Sequence, residues 1–106
     1  MTSNEFRSLA LSLPQTSEGS HMNHPDFRVH GKIFATLGPS EEWAMVKVTP
    51  EQQSVFVRTE PKVFQPIKGA WGRQGCTHVC LDTASDPSVR QALIEAWSHI
   101  SAKKSK

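Results

Sequence analysis

His24-Pro-Asp-Phe-Arg-Val-His-Gly-Lys-Ile-Phe-Ala-Thr-Leu37 is the stretch on which the fold turns. It reads as two short strands folded at Gly31, because apolar and polar residues alternate on both sides of a turn-forming centre. A three-residue loop, His30-Gly31-Lys32, with Gly31 supplying the positive φ, is the expected hairpin connection. In that register Phe27, Val29, Ile33, Ala35 and Leu37 share one face, and Arg28, Phe34 and Thr36 share the other. A two-residue turn would instead put Val29 opposite Lys32 and mix the faces, since a slip of one residue inverts every side chain. A third strand, Trp43-Ala-Met-Val-Lys-Val48, continues the pattern. Ala44, Val46 and Val48 belong to the core face, while Trp43, Met45 and Lys47 join Arg28 and Phe34 on the second face.

Outward from this hairpin the chain supplies helices that need a sheet to pack on. Thr2-Ser-Asn-Glu5 is a capping box followed by Phe6, Leu9, Ala10 and Leu13, an amphipathic helix that ends before Pro14. Residues 15–23 are polar, with a short edge strand expected around residues 18–22. Thr49-Pro-Glu-Gln52 starts a second helix, with Thr49 as cap and Pro50 in the first turn. That helix is expected to run to about Arg58 and to bury Val55 and Phe56. Residues 62–66 read as a single turn, and 68–75 as a glycine-rich connection. A strand follows, with Thr77, Val79 and Leu81 on one face and His78 and Cys80 on the other. Asp86-Pro87 opens the last helix, whose apolar stripe is Val89, Leu93, Ala96, Trp97 and Ile100. Helices at both ends and one between strands, packed on an antiparallel sheet of four to five strands, make a two-layer α+β domain spanning residues 1–106.

Composition narrows the function classes. The chain has 106 residues, 37% of them hydrophobic and 21% charged, enough for one folded core. The formal net charge is +2. Lys103, Lys104 and Lys106 stand at the very end; without them nine basic residues face ten acidic ones. The body is therefore not a polycation, although residues 28–73 hold seven basic and four acidic residues. The first residues carry no signal-peptide pattern, and no run approaches the ~20 apolar residues of a membrane span. A cytoplasmic monomer with no membrane association is the expectation. Cys76 and Cys80 are too far apart on one strand for a disulfide, roughly 13 Å at about 3.3 Å per residue, so free thiols are expected. The tail after Ser101 is expected to fray.

Several clusters have the ingredients of chemistry without its geometry. His21-x-x-His24, near Asp26 and His30, has metal-ligand residue types but no helix to present them, and solvated loop histidines are expected. Cys76, His78 and Cys80 are spread along a strand, poor geometry for chelating one ion. Glu41-Glu42 reads as a hydrated hairpin-tip pair. No nucleophile elbow or cysteine-hydrolase signature is present. Gly69-x-x-Gly72-x-x-Gly75 lacks the Lys-Ser/Thr of a P-loop and precedes a strand. Trp71, between those glycines, either plugs a core edge, the favoured reading, or sits on a binding surface. The expectation is no cofactor, no metal and no catalysis.

Leu11-Ser-Leu-Pro14, Glu18-Gly-Ser-His21, Pro25 through Ala35, Val46-Lys-Val-Thr-Pro-Glu-Gln52, Gly69-Ala-Trp-Gly-Arg73 with Gly75, and Ala96-Trp97 occur in an order that resembles the MmcQ/YjbR family of small bacterial proteins. The resemblance implies a two-layer, secretion-chaperone-like α+β fold. It also implies a DNA-binding label, through likeness to the double-wing DNA-binding domain of the phage transcription factor MotA. Gly75-Cys76 departs from the glycine-aromatic pair expected there. Combined with the second sheet face, the resemblance implies a DNA-binding protein, with a link to transcription as the further expectation. Arg28, Lys32, Lys47 and Arg73 would contact phosphate, and Trp43 or Trp71 would stack or wedge. A protein- or peptide-interaction module using the same face is the alternative. A third reading, a small-molecule binder or enzyme drawing on Cys76, His78 and Trp71, needs a closed, ligand-sized pocket around Trp71.

Overall fold

A computed structural model describes residues 1–21, 24–38, 40 and 42–102, excluding the His21 side chain. The expectations for His21 as a ligand, for Glu41 and for the terminal lysines lie outside the described residues. The elements are α1 (Ser3–Leu11), β1 (Thr16–His21), β2 (His24–Val29), β3 (Lys32–Leu37), β4 (Trp43–Lys47), α2 (Pro50–Thr59), β5 (Phe64–Pro66), α3 (Ala70–Arg73), β6 (Cys76–Cys80) and α4 (Asp86–Ala102). The strands form one antiparallel sheet in the order β1-β2-β3-β4-β6-β5. The sheet thus has six strands where four to five were expected. Residues 62–66 hold the extra edge strand β5 in place of a lone turn, and the glycine-rich connection contains the one-turn helix α3.

The hairpin turns with two residues, not three. Val29 pairs with Lys32, and His30 and Gly31 both have positive φ, 53° and 78°. Positive φ at both central positions is the turn that matches strand twist, and histidine is among the residues that tolerate it. The mixing of faces that this register threatens is cancelled by a bulge. Arg28 pairs with Ile33 while Phe27 pairs with Ala35, leaving Phe34 as the extra residue. Phe34 is therefore fully buried in the core, and Ile33, expected in the core, lies on the second face beside Arg28. Beyond the bulge Ala35 and Leu37 return to the core face, opposite Val46 and Ala44.

The core lies between this face and the helices. Phe6, Phe27, Phe34, Leu37, Val46, Phe64, Val79 and Leu93 are all essentially inaccessible. Helix α4 packs on β3, β4 and β2, and α1 on α4 and β1. Both capping boxes expected from sequence are formed: Thr2 with Glu5, and Thr49 with Gln52. In α4 the first helical bond runs from the Val89 amide to the Ser85 carbonyl, so the cap falls one residue before Asp86. Trp97 donates its indole N–H to the Pro14 carbonyl at 3.0 Å, tying α4 to the end of α1.

In α2 the expected burial is corrected. Val55 is 46% exposed and Phe56 only partly buried against Phe64, whereas Gln53 is buried. The reason is a polar demand. Gln53 Nε2 donates to both the Gly72 and the Cys76 carbonyls, each at 2.9 Å, satisfying backbone groups where α3 meets β6.

Candidate functional site

The second sheet face faces away from the helical layer, and a row of paired residues crosses it. Gly19, Asp26, Thr36, Met45, His78 and Gln65 lie side by side from β1 to β5. Trp43 and Lys47 flank Met45 on β4, and all three are half-buried. This face is neither a second sealed core nor a fully solvated surface, and its half-burial marks a groove.

Two cavities make up the groove. One, of about 820 Å³, reaches round the hairpin end of the sheet, where Arg28 and Lys47 meet Lys32, Val48 and, from the last turns of α4, His99 and Ile100. The other, of about 270 Å³, is lined by His24, Thr36, Trp43, Met45 and Ile67. Ile33, Lys47, Trp71 and Cys76 line both, so the cavities adjoin. Among the described residues no carboxylate lines either cavity.

Trp71 stands at the junction and is 62% exposed, contrary to the favoured expectation of a core plug. The glycines around it explain why. A Cβ on Gly72 would overlap the Ile67 carbonyl oxygen, and one on Gly75 would overlap that of Val48. The turn docks by its backbone and leaves the indole outside. Lys47 Nζ lies 5.9 Å from the Trp71 ring centroid, within cation–π range.

Trp43 is held differently. Its ring lies over Gly38, where a Cβ would collide with the indole, and stacks on His78 with centroids 5.2 Å apart and planes 23° apart. Partial burial lowers the His78 pKa below its ordinary 6.5. The unfolded chain then binds more protons than the folded one as pH falls through 6.5, so stability falls there and levels off once the folded-state pKa is passed. Thermal melts from about pH 7.5 to about pH 5.5 are expected to show this small decline. His78→Gln should flatten it; an unchanged decline would exclude His78 as its source.

Arg28 is not a free cation. Its Nε and Nη2 donate to the two carboxylate oxygens of fully buried Asp26, at 2.7 and 3.1 Å. That hydrogen bond, together with the charge of Asp26, raises the Arg28 pKa above its ordinary value. Gly19 makes room for the pair, since a Cβ there would meet Asp26 Oδ1 at 3.0 Å and the guanidinium at 3.3 Å. Among the described residues Lys32, Lys47 and Arg73 have no ion-pair partner. Arg73 is exposed on α3 and lines neither cavity.

Of the six expected site residues, Arg28, Lys32, Lys47 and Trp71 therefore line the larger cavity. Trp43, Lys47 and Trp71 line the smaller, and Arg73 stands apart. His24, expected in a loop, sits in β2 with Nδ1 2.8 Å from the Leu37 carbonyl oxygen and lines the smaller cavity. His24 is a groove residue that its polar, loop-like surroundings in the sequence do not signal, and Ile33 lies on the second face and not in the core. Among the described residues no cluster of three His, Cys, Asp or Glu side chains could hold a metal ion.

The YjbR family profile matches residues 11–99. The chain belongs to the YjbR family. The match runs from the end of α1 to the last turn of α4, so every groove residue named above falls within the YjbR region. The YjbR fold is also that of a solved structure, Deinococcus radiodurans protein DR2400, which contains a DUF419 domain. The two superpose with a TM-score of 0.81 at 18% identity, over 97% of this chain and 80% of that one. At that identity the likeness is one of fold. No curated protein matches the chain.

Proposed function

We propose that this YjbR-family protein is a non-catalytic, cytoplasmic DNA-binding protein that uses the open face of its sheet. The observation that carries the reading is the groove where unpaired Lys32 and Lys47 meet an exposed Trp71. Lysines without an acidic partner suit phosphate, and an exposed indole suits a base or a groove wall. Arg28 contributes a cation of fixed orientation, partly neutralised by Asp26. Arg73 serves at most as an outlying phosphate contact.

The test is a fluorescence-anisotropy titration of labelled DNA at several salt concentrations. Affinity is expected to fall with salt, with a log–log slope of about −0.9 per neutralised phosphate on duplex and about −0.7 on single strands. Lys47→Ala should weaken binding and reduce the magnitude of the slope by about one. Absence of binding to both duplex and single-stranded DNA at low salt would refute the reading.

A protein- or peptide-binding role is favoured by one feature, the apolar floor formed by Ile33, Met45 and Ile67, which a phosphate backbone does not require. Capture of a defined protein partner that is lost in Trp43→Ala and kept in high salt would favour that role over DNA.

A further inference from the structure

The two halves of the groove differ in chemistry, and the difference selects a ligand. The larger half presents three cations, Arg28, Lys32 and Lys47, beside apolar Ile33, Val48 and Ile100. The smaller presents Trp43, Met45, Ile33 and Ile67, with His24 and Thr36 as its polar members. Trp71 and Lys47 belong to both halves. A cationic trough joined at a tryptophan to an apolar recess of about 270 Å³ matches a strand whose bases are unstacked, with phosphates in the trough and a base in the recess.

We infer that the groove binds single-stranded nucleic acid, one base entering the recess against Trp71 while the flanking phosphates lie on Lys47, Lys32 and Arg28. This inference rests on the DNA-binding reading and narrows it. Duplex DNA offers phosphates to the lysines but keeps its bases stacked and paired, so the recess would stay unused unless a base were flipped out at a cost of a few kcal/mol. A free mononucleotide fills the recess but brings phosphate to one end of a trough that spreads three cations along β2, β3 and β4. His24 and Thr36 are the polar residues beside Lys47 in the lining of the recess, on the side where a base edge would bring donors and acceptors.

The experiment measures binding of the intact protein to fluorescein-labelled oligothymidylate, to the same backbone made of abasic units, to a duplex of equal length and to thymidine monophosphate. Oligothymidylate is expected to bind at least tenfold more tightly than the duplex, the abasic strand and the mononucleotide. Trp71→Ala should weaken oligothymidylate binding roughly 5- to 100-fold, the worth of one stacked base, and leave the abasic strand unaffected. Trp71 is mostly exposed, so the variant is expected to melt with the parent protein, and a matched melt verifies the comparison. Lys47→Ala should weaken both strands alike. Equal affinity for duplex and single strand, with no effect of Trp71→Ala, would overturn the inference and leave the DNA-binding reading standing. Mononucleotide binding as tight as that of the strand would overturn it in favour of a free nucleotide. Absence of binding to every probe would remove both the inference and the reading on which it rests.

Discussion

Phe34→Ala is expected to destabilise the protein by about 3–5 kcal/mol, the usual cost of emptying a buried aromatic site. For a domain of this size that lowers the melting temperature by more than ~10 °C. Ile33→Ala, one residue away, should cost only about 1 kcal/mol, because Ile33 is half-buried on the groove side of the sheet. The contrast tests the register itself. If the hairpin turned through His30, Gly31 and Lys32 with no bulge, Ile33 would stand in the core beside Val29 and Phe34 would face the groove. The costs would then be reversed. Thermal or urea melts of the two variants decide the matter, and equal or inverted costs would contradict the two-residue turn. The functional consequence is separate from the stability one. Ile33→Ala enlarges the apolar recess without touching the core, whereas Phe34→Ala should leave the affinity of the surviving folded molecules nearly unchanged.

The second large effect is expected at Gly72. An alanine there cannot be accommodated by rotating a side chain, because its Cβ would fall on the Ile67 carbonyl, which is backbone. Either α3 lifts off or the segment carrying Ile67 moves. Lifting α3 also breaks the hydrogen bond from buried Gln53 to the Gly72 carbonyl. Overpacking of this kind costs about 1–3 kcal/mol and the lost bond about 1 more, so roughly 2–4 kcal/mol in all is expected for Gly72→Ala. Because α3 carries Trp71, the tryptophan should leave Lys47 and nucleic-acid binding should weaken as well. Trp71→Ala should weaken binding without the stability loss. A Gly72→Ala variant that melts and binds like the parent protein would show that the close seating of α3 is dispensable.

Much of the architecture was legible because it rests on short-range physics. The two capping boxes need only four consecutive residues each, and both form as read. The stripes of α1 and α4 follow from helical spacing, with Phe6, Ala10, Val89, Leu93, Ala96 and Ile100 all buried. The alternation within β4 and within β6 is likewise readable, with Trp43, Met45 and Lys47 on one side of β4 and His78 and Cys80 on one side of β6; the pairing of the two strands then brings the sets together on the second face. The family resemblance agreed with the profile match and with the fold.

The misreadings share a different origin. Positive φ was assigned to Gly31 alone, so the contribution of His30 to the turn went unseen. Val55 and Phe56 are the burial expectation for α2 because a local reading ranks positions by hydrophobicity, and an amide such as Gln53 gives no such signal. The buried amide is explained only by two carbonyls contributed from residues 72 and 76. Arg28 and Asp26 are two residues apart on one strand, a spacing that does put them on one face. Their pairing as a shielded unit depends on Gly19 of the neighbouring strand leaving space above them.

The sequence by itself therefore determined the three long helices, the hairpin strands, β4 and β6, the antiparallel α+β class and the alternation of side chains within β4 and within β6, because capping, periodicity and strand alternation act over a few residues. Only the tertiary structure decided that Phe34 is core and Ile33 groove, that Arg28 is held by Asp26, and that Trp71 stands outside beside Lys47. Each of these depends on a contact between distant segments: a bulge answered across a hairpin, a glycine beneath an ion pair, or a backbone carbonyl where a Cβ would otherwise be.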